Sequence, residues 1–440
     1  MHYWLLVVLL FLSGCATQGK ISNIAGLPTY GEKESYGFGR IGNNSTQDDF
    51  AVILAFSGGG SRAAAMSYGV LEALRDTDLM IEGRAGRLLD EVDVITSVSG
   101  GSFTAAYFGL HGDRIFSDYE KRFLRRDVAS ELLSRILSPR SWFSEHGRTE
   151  TAISYYEKVL FDGATFADLN RADGPFIIIN SSDLGAGIRF AFTQNYFSLL
   201  CSDISSYPVA RAVTASSAVP VLFNPVVLKN YQDCPPPSPF IQAVADHTGQ
   251  SHQTRHLLDG LSSYADKKQR PYIHLVDGGI TDNLGLLALY ETVDAAGGIR
   301  ELFGEIRGAP VASKLLVISV NASTRPQYEL EQSKSPPGVE QFMGAVTDIQ
   351  LHRYNAATMD LLNTALQDWA QELSDETREV EHYFVELDFN QVTDEEQRFF
   401  LNQIPTTFSL TGKQVDGAIE AGRELLLANR EYLRFLDDIQ

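Results

Sequence analysis

Three short stretches of the chain carry residue types that do chemistry together. Ser57-Gly58-Gly59-Gly60-Ser61-Arg62 closes one apolar run, Ser97-Val98-Ser99-Gly100-Gly101 closes a second, and Asp277-Gly278-Gly279 closes a third. A serine in a turn of small residues projects its hydroxyl as a nucleophile, because small neighbours tolerate the strained backbone that such a turn needs. A carboxylate at a strand end can take the serine's proton. Consecutive glycines ahead of a helix leave backbone N–H groups facing anionic oxygen, either a phosphate or a developing oxyanion. Nucleophile, base and oxyanion cradle are the parts that acyl transfer requires.

Taken alone, each stretch has another reading. Gly58-Gly59-Gly60-Ser61-Arg62-Ala63 between a strand and a helix also fits the dinucleotide-binding pattern, with Ala63 in the third glycine position. Asp277-Gly278-Gly279 is also a common turn. Ser97 stands where the nucleophile-elbow pattern has glycine, which adds a hydroxymethyl to a tight turn, and Ser102 offers a second hydroxyl one helical turn on. A conventional triad needs a histidine after the acid. Its candidates, His352 and His382, sit in no strand-end glycine turn. His247, His252 and His256 with Asp246 and Asp259 could be drawn as a metal cluster, and His252 and His256 have the spacing of one helix face. Their Gly, Ser, Gln and Pro neighbours argue for a solvated loop, so no metal is expected.

The elements that position these residues follow from apolar patterning. Val52–Phe56, Val92–Ile95, Phe176–Ile179, Ile273–Val276 and Leu315–Val320 are near-continuous apolar runs that end in turn chemistry. Such runs suit strands covered on both faces, as in a parallel sheet flanked by helices. Ligands bind such sheets beyond the strand carboxyl ends. Met66, Val70, Leu71 and Leu74 form a helical stripe, and residues 340–374 form a long amphipathic helical stretch with a break near Asn355. Residues 112–172 read as a helical insertion or cap, and 229–271 as a long surface loop. The expected organisation is one large domain over 49–325, with a C-terminal extension, 326–440, packed on it.

Composition limits the function classes. At 44% hydrophobic and 21% charged residues, the chain has apolar material for a sizeable core. A net charge of -20 argues against a nucleic-acid partner, which is gripped by clustered Lys and Arg, and gives no attraction to an anionic membrane. Membrane association is expected from the amino terminus instead. Trp4–Leu12 is an uncharged apolar run, shorter than the roughly 20 residues that span a bilayer, and reads as a signal-peptide core. Leu12-Ser13-Gly14-Cys15-Ala16 resembles a bacterial lipobox. That resemblance implies a signal peptide over 1–14, lipidation of Cys15, a tether over 15–48, and a place in the bacterial cell envelope, with Ala16 favouring the outer membrane. Export permits disulfides, so Cys201 and Cys234 are either a bridge or two thiols.

Together the motifs resemble the patatin-like phospholipase family, whose marks are a glycine-rich loop with a following basic residue, a serine elbow and a later D-G-G or D-G-A. Ala215-Ser216-Ser217-Ala218-Val219-Pro220, Phe223, Pro225 and Thr281-Asp282-Asn283 match further. The resemblance implies a three-layer α/β/α fold with a central, mostly parallel sheet. It also implies a Ser99–Asp277 dyad working without histidine or cofactor on a lipid ester. The Gly58-Gly59-Gly60 loop would supply the oxyanion donors, with the Gly59 and Gly60 amides foremost. Ser97, Gly100 and Gly101 would shape the elbow, and Arg62 would position the loop, meet an anionic head group or form a surface ion pair. The same residues would serve an acyltransferase, and the departure at Ser97 leaves an inactive lipid-binding envelope protein as the alternative.

Overall fold

The computed structural model describes residues 19–26, 35–40, 50–81, 83–136, 147–171, 173–220, 222–232, 251–306, 312–325 and 334–439. Cys15, Cys234, Asp246 and His247 lie outside these residues. Cys201 is disulfide-bonded.

The expected apolar runs are all strands of one eight-stranded sheet. In chain order these are β1 (Phe50–Phe56), β2 (Val92–Val98), β3 (Phe176–Asp183), β4 (Ile188–Ala191), β5 (Val226–Lys229), β6 (Tyr272–Val276), β7 (Lys314–Asn321) and β8 (Glu381–Asp388). Their order is β8-β7-β1-β2-β3-β6-β5, with β4 also on β3. The pairs from β8 to β3 are parallel. Those joining β3 to β6, β6 to β5 and β3 to β4 are antiparallel. Alternation along the strands feeds two cores. Val52, Leu54 and Phe56 face one with Leu316 and Ile318, while Ala55 and Val317 face the other. Helices cover both faces, so the molecule is a three-layer α/β/α sandwich.

On the first face lie α1 (Gly60–Arg75), α2 (Gly100–His111) and α3 (Val209–Ser216). Met66, Val70, Leu71 and Leu74 are fully buried there, as their spacing requires. Helices α4 (His252–Ser262), α5 (Leu287–Ala295), α6 (Val339–Leu373) and α7 (Gly412–Ala428) follow. The second core takes Leu289 from α5 and Leu362, Leu366 and Trp369 from α6.

Several expectations are corrected. The C-terminal region does more than pack on the domain. Its strand β8 forms the sheet edge in register with β7, and α7 crosses α1 so closely that methyl groups at Gly69 and Gly422 would strike Ile419 and Met66 carbonyl oxygens. Residues 252–262 form α4 rather than loop: Ser251 caps the helix by accepting the Thr254 N–H, and Leu257, Leu258 and Leu261 are buried. Helix α6 runs unbroken through Asn355, whose buried amide donates to Ser323 Oγ at 3.1 Å. The tether region is partly docked. Ile24–Ala25 pairs with Ser202–Asp203, and Tyr36 and Phe38 enter the core against Phe166 and Phe176. The helical segment within 112–172 belongs to that core through Phe123, stacked on Phe103 at 4.6 Å, rather than standing apart as a cap.

Candidate active site

Ser99 occupies the single-residue turn between β2 and α2 with φ 48° and ψ −116°. A side-chain-bearing residue held at positive φ stores strain of about 1–3 kcal/mol, which persists only where the surroundings enforce it. Here the Ser99 N–H donates to Ser216 Oγ at 2.8 Å. A methyl group at Gly100 would collide with the Gly60 carbonyl, so α1 and α2 bring their N-termini together beside Ser99. Ser97 fits the elbow despite its hydroxymethyl, because its buried hydroxyl donates to Ile178 O at 3.1 Å on the neighbouring strand.

Ser99 Oγ donates to Asp277 Oδ2 at 2.9 Å. The aspartate arrives from the antiparallel side of the mostly parallel sheet. Strand β3 overshoots β2, since Val98 ends opposite Asn180 while β3 continues to Asp183. Strand β6 runs antiparallel along that overhang, Leu275 opposite Asp183 and Val276 opposite Ser182. Its carboxyl end therefore meets the carboxyl end of β2 from the opposite direction. Asp277 Oδ1 accepts the Gly279 N–H at 2.8 Å. Burial pushes the carboxyl up to about 6 from its ordinary 3.8, against the lowering effect of the Gly279 N–H and the Ser99 hydroxyl. A carboxyl so raised is a better base than an ordinary one at neutral pH.

The glycine loop corrects one expected donor. The Gly58 N–H donates to Asn283 O at 2.9 Å, so it is not open to an oxyanion. Among the described residues, the Gly59 and Gly60 N–H groups have no acceptor, and Gly59, at φ 137°, turns the chain into α1. The Gly100 N–H is likewise without an acceptor, a donor the motif reading assigned only to the elbow. The N-terminal dipoles of α1 and α2 both favour negative charge here.

Arg62 is buried rather than held in a surface ion pair, and it lines the cavity beside Ser99. It is 3% exposed and donates to Ala322 O at 2.7 Å, to Ile404 O, and to Thr406 Oγ1 at 3.1 Å. The guanidinium thus ties the start of α1 to the end of β7 and to the C-terminal region. Sequence reasoning could not see this, because two of its acceptors are backbone carbonyls.

A buried polar layer supports the site from behind. Asp282 accepts the Gly285 and Leu287 N–H groups, each at 3.0 Å, and so fixes the turn that carries Asn283; burial pushes its carboxyl up to about 7. Arg189 pairs with Glu291 at 2.8 Å and donates to Asn180 Oδ1 at 3.1 Å. Asn180 in turn donates to Ser97 O at 3.2 Å. Asp282 and Asn283 stood in the motif match without a role. Asn180, expected to begin the turn after Phe176–Ile179, instead lies inside β3, and nothing in the sequence singled out Arg189.

Ser99 and Asp277 open into a cavity of about 1160 Å³ whose apolar wall includes Val219, Leu257, Val346 and Ile404. His352 also lines it but makes no hydrogen bond to Ser99, and His382 lies in β8. His256 contacts Gly187 O at 3.3 Å and His252 contacts Arg255. Among the described residues no group of three or more His, Cys, Asp or Glu could hold a metal, and no helix is long and apolar enough to cross a membrane.

The fold is similar to solved structures of human GIVD cytosolic phospholipase A2. One matches at 12% identity and a TM-score of 0.42 over 97% of this chain and 68% of that one. Another, in complex with methyl gamma-linolenyl fluorophosphonate, matches at 12% identity and a TM-score of 0.40 over 96% and 69%. No curated protein sequence matches the chain. The family model of patatin-like phospholipase matches residues 54–290, more than half of the chain. The stretch spans the glycine loop, the serine elbow and the D-G-G turn, and the chain belongs to the patatin-like phospholipase family, whose substrates are lipids.

Proposed function

We propose that the chain hydrolyses a carboxylic ester of a phospholipid or related lipid through a Ser99–Asp277 dyad and an acyl-enzyme. Asp277 takes the Ser99 proton as Oγ attacks the ester carbonyl. The resulting oxyanion is held by the Gly59 and Gly60 N–H groups, joined by Gly100. Collapse expels the alcohol, which leaves with the proton from Asp277. Water then attacks the acyl-enzyme, gives a proton to Asp277, and releases the fatty acid as that proton returns to Ser99. Each free donor removed from such a cradle costs roughly 10²–10³ in rate in comparable enzymes.

The observation that carries this reading is the 2.9 Å bond from Ser99 Oγ to a carboxyl raised to about 6, at the floor of a cavity with an apolar wall. The test is fatty-acid release from phospholipid vesicles by wild type, Ser99→Ala and Asp277→Asn. Loss of release in both variants supports the dyad; equal release by all three removes it. The reading includes a lipid anchor at Cys15 that holds the domain at the bacterial envelope. It is checked by whether Cys15→Ser moves the protein from the membrane to the soluble fraction.

A further inference from the structure

Ser99 and Asp277 do not lie on neighbouring strands. The sheet order is β2-β3-β6, so β3 stands between them and no ladder hydrogen bond sets their separation. We infer that Ser216 and Ala218, two residues apart at the end of α3, form a positioning clamp that holds nucleophile and base in register through one bond to each; this rests on the dyad reading above.

Ser216 Oγ accepts the Ser99 N–H at 2.8 Å. Two residues on, Ala218 O accepts the Asp277 N–H at 3.0 Å. The clamp is itself anchored on the intervening strand, because Ser216 Oγ lies 2.5 Å from Asn180 O. Counting valences fixes the protons. A carbonyl can only accept, so the single Ser216 hydrogen goes to Asn180 O. Its two lone pairs then receive the Ser99 N–H and the Ser102 hydroxyl, which lies at 3.0 Å. Every bonding capacity of this fully buried hydroxyl is used, and one of its bonds restrains the backbone at the strained residue. The Ser99 N–H is thereby turned away from the cavity, which leaves the oxyanion to the glycine amides.

Ser217 is the built-in control. It is adjacent and equally enclosed, yet its hydroxyl bonds back to Val213 O at 2.9 Å within its own helix and touches neither partner. The experiment measures kcat, KM and the pH profile on a soluble short-chain p-nitrophenyl ester for the full chain. Ser216→Ala is expected to lower kcat at least about tenfold with KM within about twofold. It should also move the acid limb of kcat/KM upward, because a Ser99 backbone freed from Ser216 holds its own hydroxyl less well on Asp277, and that hydroxyl lowers the carboxyl. Ser216→Thr, which keeps the hydroxyl, should recover most of kcat, and Ser217→Ala should stay within about twofold of wild type. Should Ser216→Ala not fold, Ser216→Cys, a weaker acceptor, carries the test with an intermediate kcat and the same upward limb. The clamp is overturned if Ser216→Ala or Ser216→Cys matches wild type, if Thr recovers nothing, or if Ser217→Ala loses as much. Wild-type turnover that survives Ser99→Ala would defeat the dyad and the clamp together, whereas Ser99-dependent turnover indifferent to Ser216 defeats the clamp alone.

Discussion

Replacing Asp277 by Asn should make the protein more stable while removing its chemistry, and the gain should depend on pH. The carboxyl titrates near 3.8 in an unfolded chain and near 6 in the fold, because burial disfavours its charge. Well below pH 3.8 both states hold the proton and the group contributes no difference. Between about 4 and 6 the native state keeps a proton that the unfolded state has released, so stability falls as pH rises through that window. Above about pH 6 the whole cost is present. At about 1.4 kcal/mol per pH unit it amounts to about 3 kcal/mol. Asn preserves the geometry: its oxygen can accept the Gly279 N–H and its amide can face Ser99. For a chain of this length, that gain corresponds to a rise in melting temperature of about 3 °C. The assay is thermal or urea unfolding of wild type and Asp277→Asn at pH 8, 6 and 4, with ester hydrolysis measured alongside. The expected gain is full at pH 8, slightly reduced at pH 6 and mostly lost at pH 4, where about 0.6 kcal/mol remains. An equally stable or less stable variant at pH 8, or a gain that ignores pH, would refute the argument that burial of this carboxylate sets its basicity.

Further outcomes follow from the same geometry. In wild type, kcat/KM should fall as pH drops through about 6, where Asp277 takes up its proton; a profile flat down to pH 4.5 would assign the base elsewhere. Arg62→Met should destabilise the protein by about 3 kcal/mol or more, because it leaves buried acceptors without a donor. Arg62→Lys should recover part of that stability, and neither should change the preference between neutral and anionic lipids, as compared by KM. Gly100→Ala should abolish activity, since its methyl would displace the Gly60 loop. Gly86→Ala, which has open space, should leave activity and unfolding unchanged. Deleting residues 376–440 should yield insoluble chain, measured by the soluble fraction on expression. That deletion removes β8, exposes the β7 edge and strips α7 from α1.

Much of this architecture was legible because apolar runs that end in glycine or asparagine chemistry are local signals. Each run that precedes Ser57, Ser99 and Asp277 is a strand, and the helical stripe after Gly60 is buried. Direction is not local. The run Ile273–Val276 carries no mark of being antiparallel, and its heading is set by the overhang of β3, which depends on pairing with β4 and β6. The role of β8 was hidden for the same reason: Tyr383, Val385 and Leu387 are buried in alternation, a pattern equally fit for a separate extension. Helix α4 was lost because polar residues flank its three leucines. At the site, the serine, the aspartate and the glycines could be named from types and spacing. The engagement of the Gly58 N–H by Asn283 O, the burial of Arg62 and the part of Ser216 could not be named. All three depend on backbone groups brought together from distant segments, and a backbone carbonyl or amide has no sequence signature.

The most direct test of the central claim is to label the folded protein with a fluorophosphonate and map the adduct by peptide mass. The account predicts a single adduct on Ser99, formed much more slowly in Asp277→Asn and absent in Ser99→Ala. An adduct on Ser102 or another serine, or none on a protein that still releases fatty acid, would contradict it.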